Sequence, residues 1–260
     1  MNFTDFPLRG IDVSQFQGVI DWNMVKVDFA AVRVGYGRTV DTQFINNWKN
    51  AKGKVNRIPY WYMDYYSNHL KGNAVNGLTD IEWGIRQADM CHGLIKDDPE
   101  SIVFLDVEST TGNFAPKIQE VPDRVHTIAK SFLERMDQLN GKKNGCYIAV
   151  AWLTWYPAWF HDRPLWVAWY NNKQTKDTVL AKVKMNGWAG KCLMWQFSST
   201  ESMTGIKGNV DANGWTGTEQ DYKDLFRLNI PTIEDPVIIR VEPTDSEKLN
   251  RLWQGHPELH

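Results

Sequence analysis

Ile102-Val103-Phe104-Leu105-Asp106-Val107-Glu108 decides how this chain is read. Four apolar residues run into two carboxylates in alternation, and side chains alternate faces along a strand, so Asp106 and Glu108 point the same way. An unbroken apolar run implies a strand buried on both faces, as in a parallel sheet covered by helices. The acids then emerge at its carboxyl end, where sheets and barrels of this kind carry their active sites. A lone D-x-E also fits one acid capping the next loop and another paired with a buried Arg, so the rest of the chain must decide.

Short apolar strands recur, with helical stretches between several of them, which is the pattern of an α/β architecture. The expected strands are Gly10 to Ser14, Ala30 to Gly35, Ile58 to Tyr65, Ile102 to Glu108, Cys146 to Val150, Leu165 to Tyr170, Leu193 to Phe197 and Asn209 to Asp211. Eight strands match the closure of a parallel barrel. Leu78 to Lys96 reads as a helix, and Val125, Ile128, Phe132, Met136 and Leu139 recur at near-helical spacing behind Pro122. Later connections look shorter, so the expected fold is a TIM-like β/α barrel with eight strands and fewer than eight regular helices. This barrel occupies residues 1–228. From Asn229 the pattern changes to a proline-punctuated tail, 229–260, too short for an independent domain and suited to packing, linking or self-association.

The chain has 260 residues, a length a single barrel uses, with 42% hydrophobic and 23% charged residues. A formal net charge of −2 argues against nucleic acid as the main partner. Met1 to Gly10 lacks a basic segment followed by an apolar one, and no stretch approaches 18 consecutive apolar residues, so neither a secretory signal nor a membrane span is expected. Cys91, Cys146 and Cys192 have no metal-like spacing and read as buried free thiols. The 13 Trp residues suit either a large aromatic core or surfaces for sugar rings.

Gly10-Ile11-Asp12-Val13-Ser14 puts a third acid at the end of the first strand, and Val210-Asp211 a fourth at the eighth. First and eighth strands are neighbours in a closed barrel, so Asp12 and Asp211 meet at the mouth that Asp106 and Glu108 enter. Carboxylates converging in a partly buried pocket cannot all ionise freely, so at least one keeps a proton near neutral pH, as a general acid requires. Glycosidic bonds are cleaved by such pairs. Oxygen-rich clusters also hold Mg²⁺ or Ca²⁺. None of the six His stands beside the acids, and neither a G-x-S-x-G elbow nor a Cys-His pair is present, so no metal or other cofactor is expected.

These pieces resemble the glycoside hydrolase family 25 muramidases, the Chalaropsis-type lysozymes. The matching segments are Gly10-Ile11-Asp12-Val13-Ser14-Gln15-Phe16-Gln17-Gly18 with Ile20-Asp21-Trp22, Val32-Arg33-Val34-Gly35-Tyr36-Gly37, Leu105-Asp106-Val107-Glu108, Leu165-Trp166-Val167-Ala168-Trp169-Tyr170, Trp195-Gln196-Phe197-Ser198-Ser199 and Gly208-Asn209-Val210-Asp211-Ala212-Asn213. The resemblance implies cleavage of the β-1,4 bond between N-acetylmuramic acid and N-acetylglucosamine in bacterial peptidoglycan. It makes Glu108 the general acid/base, Asp106 the residue that orients the substrate acetamido arm or tunes Glu108, and Asp12 and Asp211 the remaining acids of the pocket. A direct Asp nucleophile and participation by the substrate N-acetyl group both stay open.

Tyr62, Tyr65, Trp152, Trp169 and Tyr170, at or just after strand ends, are expected to wall the glycan groove, with Tyr36, Asp64 and Gln196 completing the substrate-binding set; Trp22, Trp48 and Trp83 read as packing residues. Asp64 departs from the family, which commonly has His there. It adds a fifth acid to the mouth, or serves as a cap or an ion-pair partner of Arg33 or a loop Lys. The resemblance further implies a phage endolysin that waits in the host cytoplasm before release to the wall, or a virion-associated enzyme. Two other readings stand beside it: a glycan-binding or virion structural protein with little turnover, and a hydrolase of another N-acetylhexosamine polymer such as chitin.

Overall fold

The computed structural model describes residues 3–109, 116–170 and 173–226. The tail expected at 229–260 lies outside the described residues. Nine strands follow one another among the described residues: β1 (Arg9–Val13), β2 (Phe29–Tyr36), β3 (Thr39–Val40), β4 (Asn56–Tyr62), β5 (Phe104–Asp106), β6 (Gly145–Ala149), β7 (Leu165–Ala168), β8 (Cys192–Ser202) and β9 (Asn209–Trp215). Interleaved with them are α1 (Phe44–Ala51), α2 (Asp80–Ile95), α3 (Pro122–Asn140), α4 (Lys176–Met185) and α5 (Glu219–Phe226). Eight strands close in the order β1-β2-β4-β5-β6-β7-β8-β9, while β3 folds back on the upper end of β2.

The barrel is mixed, which corrects the expectation of parallel closure. β9 runs antiparallel to both β8 and β1. The reason is the link: only residues 203–208 separate β8 from β9, enough for a hairpin and too few for the crossover a parallel strand needs. The reversal carries Asp211 to the mouth from the beginning of its strand, in register with Asp12.

Alternation along the strands sorts two cores. Phe29, Ile58, Tyr60, Phe104, Tyr147, Trp166, Met194 and Trp215 fill the barrel interior. The rings of Tyr60, Phe104 and Tyr147 meet Trp166 edge-on at centroid distances of 5.8, 6.1 and 4.6 Å. Space for them comes from Gly10 and Gly145, where a Cβ would stand 2.1 Å from the Phe29 ring and 2.5 Å from that of Phe104. Val103, Leu105, Ile148 and Val167 face outward into a second core with Trp83, Cys91, Phe132 and Met136 of the helices.

Helix α2 starts in a reciprocal cap, Glu82 N donating to Thr79 Oγ1 (3.2 Å) while Thr79 N donates to the Glu82 carboxylate (2.8 Å). Helix α3 begins with Pro122 at its first turn and ends at Gly141, whose φ of 64° only glycine adopts without strain. Its buried stripe, Val125, Ile128, Phe132, Leu133 and Met136, contributes at most roughly 1.5–3 kcal/mol per large side chain. At the opposite end of the barrel from the acids, α5 places Leu225 against the inner core. The Tyr222 hydroxyl donates to Asp28 O (2.9 Å) and accepts from Asn56 Nδ2 (2.8 Å).

Candidate active site

All four acids stand at one mouth. Asp12 and Asp106 continue the inward-facing alternation of β1 and β5, and Glu108 follows two residues beyond Asp106. Asp12 is register partner to Asp211. A second register row runs Tyr36–Tyr62–Asp106–Tyr147 across β2, β4, β5 and β6. The acids therefore form two pairs, Asp12 with Asp211 and Asp106 with Glu108.

Each pair has a deeper and a shallower member. Burial, and then the charge of Asp211, push Asp12 well above the ordinary carboxylate range, against two amide donors that pull it back. Those donors are Gln196 Nε2 at 2.8 Å and Asn213 Nδ2 at 2.7 Å, both on Asp12 Oδ2. Burial, followed by the charges of Glu108 and Asp12, pushes Asp106 well up too, with Arg33 opposing. Its Oδ1 is buried with no hydrogen-bond partner among the described residues. Glu108 is raised by burial and drawn back by hydrogen bonds with Asp106 and Tyr147. Asp211 is raised by burial and drawn back by Asp12. A proton is thus held in this cluster at pH values where an isolated carboxyl has lost it.

Gln196 is 3% exposed and its amide is engaged at both ends, Nε2 donating to Asp12 and Oε1 accepting from the hydroxyls of Tyr147 (2.7 Å) and Tyr170. It supports the acids from below. Tyr62 stands beside Asp106, its hydroxyl donating to Ser109 O (3.3 Å), and Tyr36 and Tyr170 lie exposed at the rim. Trp152 and Trp169 are half-buried against the outer core. Tyr65 does not line the groove: it is 0% exposed, and its hydroxyl donates to Pro116 O (2.8 Å). The alternation that carries side chains inward ends with β4 at Tyr62, and the turn beyond it sends Tyr65 outward. Asp64 is occupied locally, its Oδ1 accepting from Tyr66 N (2.8 Å) and Ser67 N (3.0 Å) and its Oδ2 from the Ser67 hydroxyl. Arg33, a partner considered for Asp64, pairs instead with Asp41 (2.7 Å).

Three contributors escaped the sequence reading. Tyr147 faces inward from β6, and Asn213 from β9. Arg33 lies between the rings of Phe16 (5.1 Å) and Tyr36 (5.7 Å), with Nη2 buried and without a hydrogen-bond partner among the described residues. A register shift between Arg33 and Gly35 lets Arg33 and Tyr36 share a face. The signal that could have found Tyr147 is its inward parity on a strand next to the D-x-E strand. The three cysteines are buried and free. Among the described residues no three His, Cys, Asp or Glu side chains are grouped to hold a metal ion, and no helix is long and apolar enough to cross a membrane.

Paired carboxyls of unequal depth, opening between tyrosines at the mouth of an α/β barrel, are the kind of arrangement that glycoside hydrolases use. The sequence agrees over most of its length: the model for glycosyl hydrolases family 25 matches residues 11–206, and the chain belongs to that family. It is 28% identical over 228 residues to the uncharacterized protein YegX of Escherichia coli O157:H7, covering 84% of this chain and 73% of the relative. It is 25% identical to lysozyme M1 of Streptomyces globisporus over 81% of this chain and 68% of that protein. In fold it is similar to the bacterial lysozyme of Streptomyces coelicolor, with a TM-score of 0.63 at 21% identity over 84% of this chain and 96% of the other. The chain is a glycoside hydrolase of the muramidase, or lysozyme, class, acting on peptidoglycan.

Proposed function

We propose that the chain cleaves the β-1,4 bond between N-acetylmuramic acid and N-acetylglucosamine with Glu108 as general acid and then base, and Asp106 as the residue that orients the acetamido arm and tunes Glu108. The observation that carries this is the pairing of a deep, proton-holding acid with a shallower one on the same strand end. Glu108 is the member nearer solvent and so the one a glycosidic oxygen can reach. Its raised pKa leaves it protonated at pH values where an ordinary Glu is ionised, as proton donation requires.

Participation by the substrate's own N-acetyl group is the favoured route. Asp12 Oδ2 already accepts from two amides, and Asp12 shares a proton with Asp211, which makes it a weak nucleophile. Asp106, buried with an unpartnered Oδ1, has the free capacity that a substrate amide needs.

Loss of turbidity and release of reducing ends from purified bacterial walls test the assignment. Glu108→Gln should lower the rate by ~10²–10⁴, the usual contribution of a general acid. Wall binding without reducing-end release by the unaltered protein would remove the enzyme reading. Mass spectrometry should find muramic acid at the new reducing end. A glycan whose acetamido groups are replaced by free amines should resist cleavage, and undiminished cleavage would restore a direct Asp nucleophile.

A further inference from the structure

Along β2 the inward-facing residues run Phe29, Ala31 and then Arg33. Ala31 is register partner to Asp12, while Arg33 pairs with Tyr60, two residues before the Tyr62 that partners Asp106. Arg33 therefore enters the mouth on the wall between the two acid pairs. Burial dominates the upward push on Asp106 and on Tyr60, and the Arg33 charge opposes it in both.

The guanidinium is nevertheless anchored away from the acids. Its Nε donates to Asp41 Oδ2 (2.7 Å), and Asp41 is itself fixed, accepting from Gln15 N at Oδ2 (2.9 Å) and from Gln43 N at Oδ1 (2.9 Å). The rings of Phe16 and Tyr36 flank the group, and its side chain is nine-tenths buried. Nη2 is left buried with no hydrogen-bond partner among the described residues. An unmade hydrogen bond on a buried charged donor is costly, and an oxygen arriving with a ligand removes that cost. Phe16 beside it is 78% exposed, held at the rim by a turn in which Ser14 N donates to Gln17 Oε1 (2.9 Å).

The two sugars of peptidoglycan differ at one place. Muramic acid carries a lactyl ether, a methyl and a carboxyl group on one carbon, where N-acetylglucosamine has a hydroxyl. A guanidinium matches a carboxyl oxygen, and an exposed ring matches a methyl. We propose that Arg33 is a specificity-determining residue that reads the lactyl group of muramic acid, Nη2 donating to a carboxyl oxygen while Phe16 and Tyr36 cover the methyl. This inference rests on the muramidase reading of the mouth. The acceptor is a carboxylate where the glycan lacks its stem peptide and an amide carbonyl oxygen where the peptide is attached. A chitin chain offers neither and leaves the donor empty, which is how a polar site rejects an analogue that lacks the matching group.

Binding to the full chain carrying Glu108→Gln, followed by tryptophan fluorescence, tests this without cleavage. The ligands are chitotetraose and the tetrasaccharide of alternating N-acetylglucosamine and N-acetylmuramic acid, its lactyl carboxyl groups either free or converted to methylamides. The lactyl ligands should bind roughly 10–100-fold more tightly than chitotetraose, the worth of one hydrogen bond to a charged group. Arg33→Met should bring that ratio close to one, and the ratio cancels any effect that loss of the charge has on the acids. Arg33→Lys should lose most of it as well, because its single ammonium stays with Asp41. A preference confined to the free acid and weakened by NaCl assigns the carboxylate, and one shared by the methylamide and indifferent to salt assigns the carbonyl oxygen. Chitotetraose binding as tightly as the lactyl ligands, or a preference that survives Arg33→Met, overturns the proposal. Should Arg33→Met fail to fold, a preference undiminished in Arg33→Lys overturns it equally. Binding is read without turnover, so failure of the unaltered protein to release reducing ends from walls would be recognised separately as failure of the hydrolase reading.

Discussion

Asp106 is costly to bury, and the cost has a definite pH dependence. A carboxyl with a higher pKa folded than unfolded binds its proton more tightly in the native state. Its destabilisation is absent below the unfolded pKa and grows as pH rises toward the folded one. Asp106→Asn should therefore raise Tm at pH 7 by about 2–4 °C, equivalent to ~1 kcal/mol in a chain of this size, and raise it far less at pH 4, while wall hydrolysis falls. Paired thermal melts at the two pH values check the sign. Acid/base catalysis by Glu108 and Asp106, as proposed, needs no metal ion, so EDTA should leave wall hydrolysis unchanged, and activity restored only by added Mg²⁺ or Ca²⁺ would contradict this. Asp12, Asp106 and Glu108 were legible in the sequence because strand alternation and the carboxyl-end rule act locally, whereas Asp211 reaches the same mouth from the beginning of an antiparallel strand, which that rule does not foresee. Tyr147, Asn213 and Arg33 were not, since what singles them out is the neighbour each meets across the barrel.

The helices α2 and α3 cross where Gly84 leaves room. A Cβ there would lie 2.5 Å from Ile128 O and 2.8 Å from Ser131 Cβ, both on α3. Alanine normally gains ~1 kcal/mol over glycine inside a helix, yet overpacking costs about 1–3 kcal/mol. Backbone cannot move aside as a flexible side chain can, so the clash wins. Gly84→Ala should lower the urea midpoint, and an unchanged or higher midpoint would mean the helices separate freely. Both helices were legible in the sequence because each has a long apolar stripe and a distinct start, Thr79 with Glu82 in one and Pro122 in the other. Short α1 and α5, eight residues each, offered too few periods to stand out. The direction of β9 was missed for another reason: an inward-facing acid reads the same whichever way its strand runs, and only the short 203–208 link carries the difference.

The barrel is closed at one end by chemistry and at the other by packing. Tyr222 sits edge-on to Trp215 at 5.0 Å and to Phe29 at 6.2 Å, and ties Asp28 to Asn56 through its hydroxyl. Tyr222→Ala should cost ~2–3 kcal/mol and redden the tryptophan emission as water reaches the inner core, with hydrolysis at low temperature nearly intact. A loss of activity larger than the loss of folded protein would show that the two ends are coupled. The barrel class was legible because eight apolar runs suffice to define it, whereas the plug was not, since Tyr222 and Leu225 fall in a segment rich in charge.

Closure by β9 also gives the molecule a clock. Asp12 leaves the ribosome early but finds its Asn213 donor only 201 residues later, and Asp211 arrives with the same strand. At ~5–20 residues per second, that interval is about 10–40 s. From Glu108 onward the nascent chain carries three of the four acids but lacks Asp211 and the Asn213 donor, so the full acid cluster cannot assemble until synthesis of the barrel has ended.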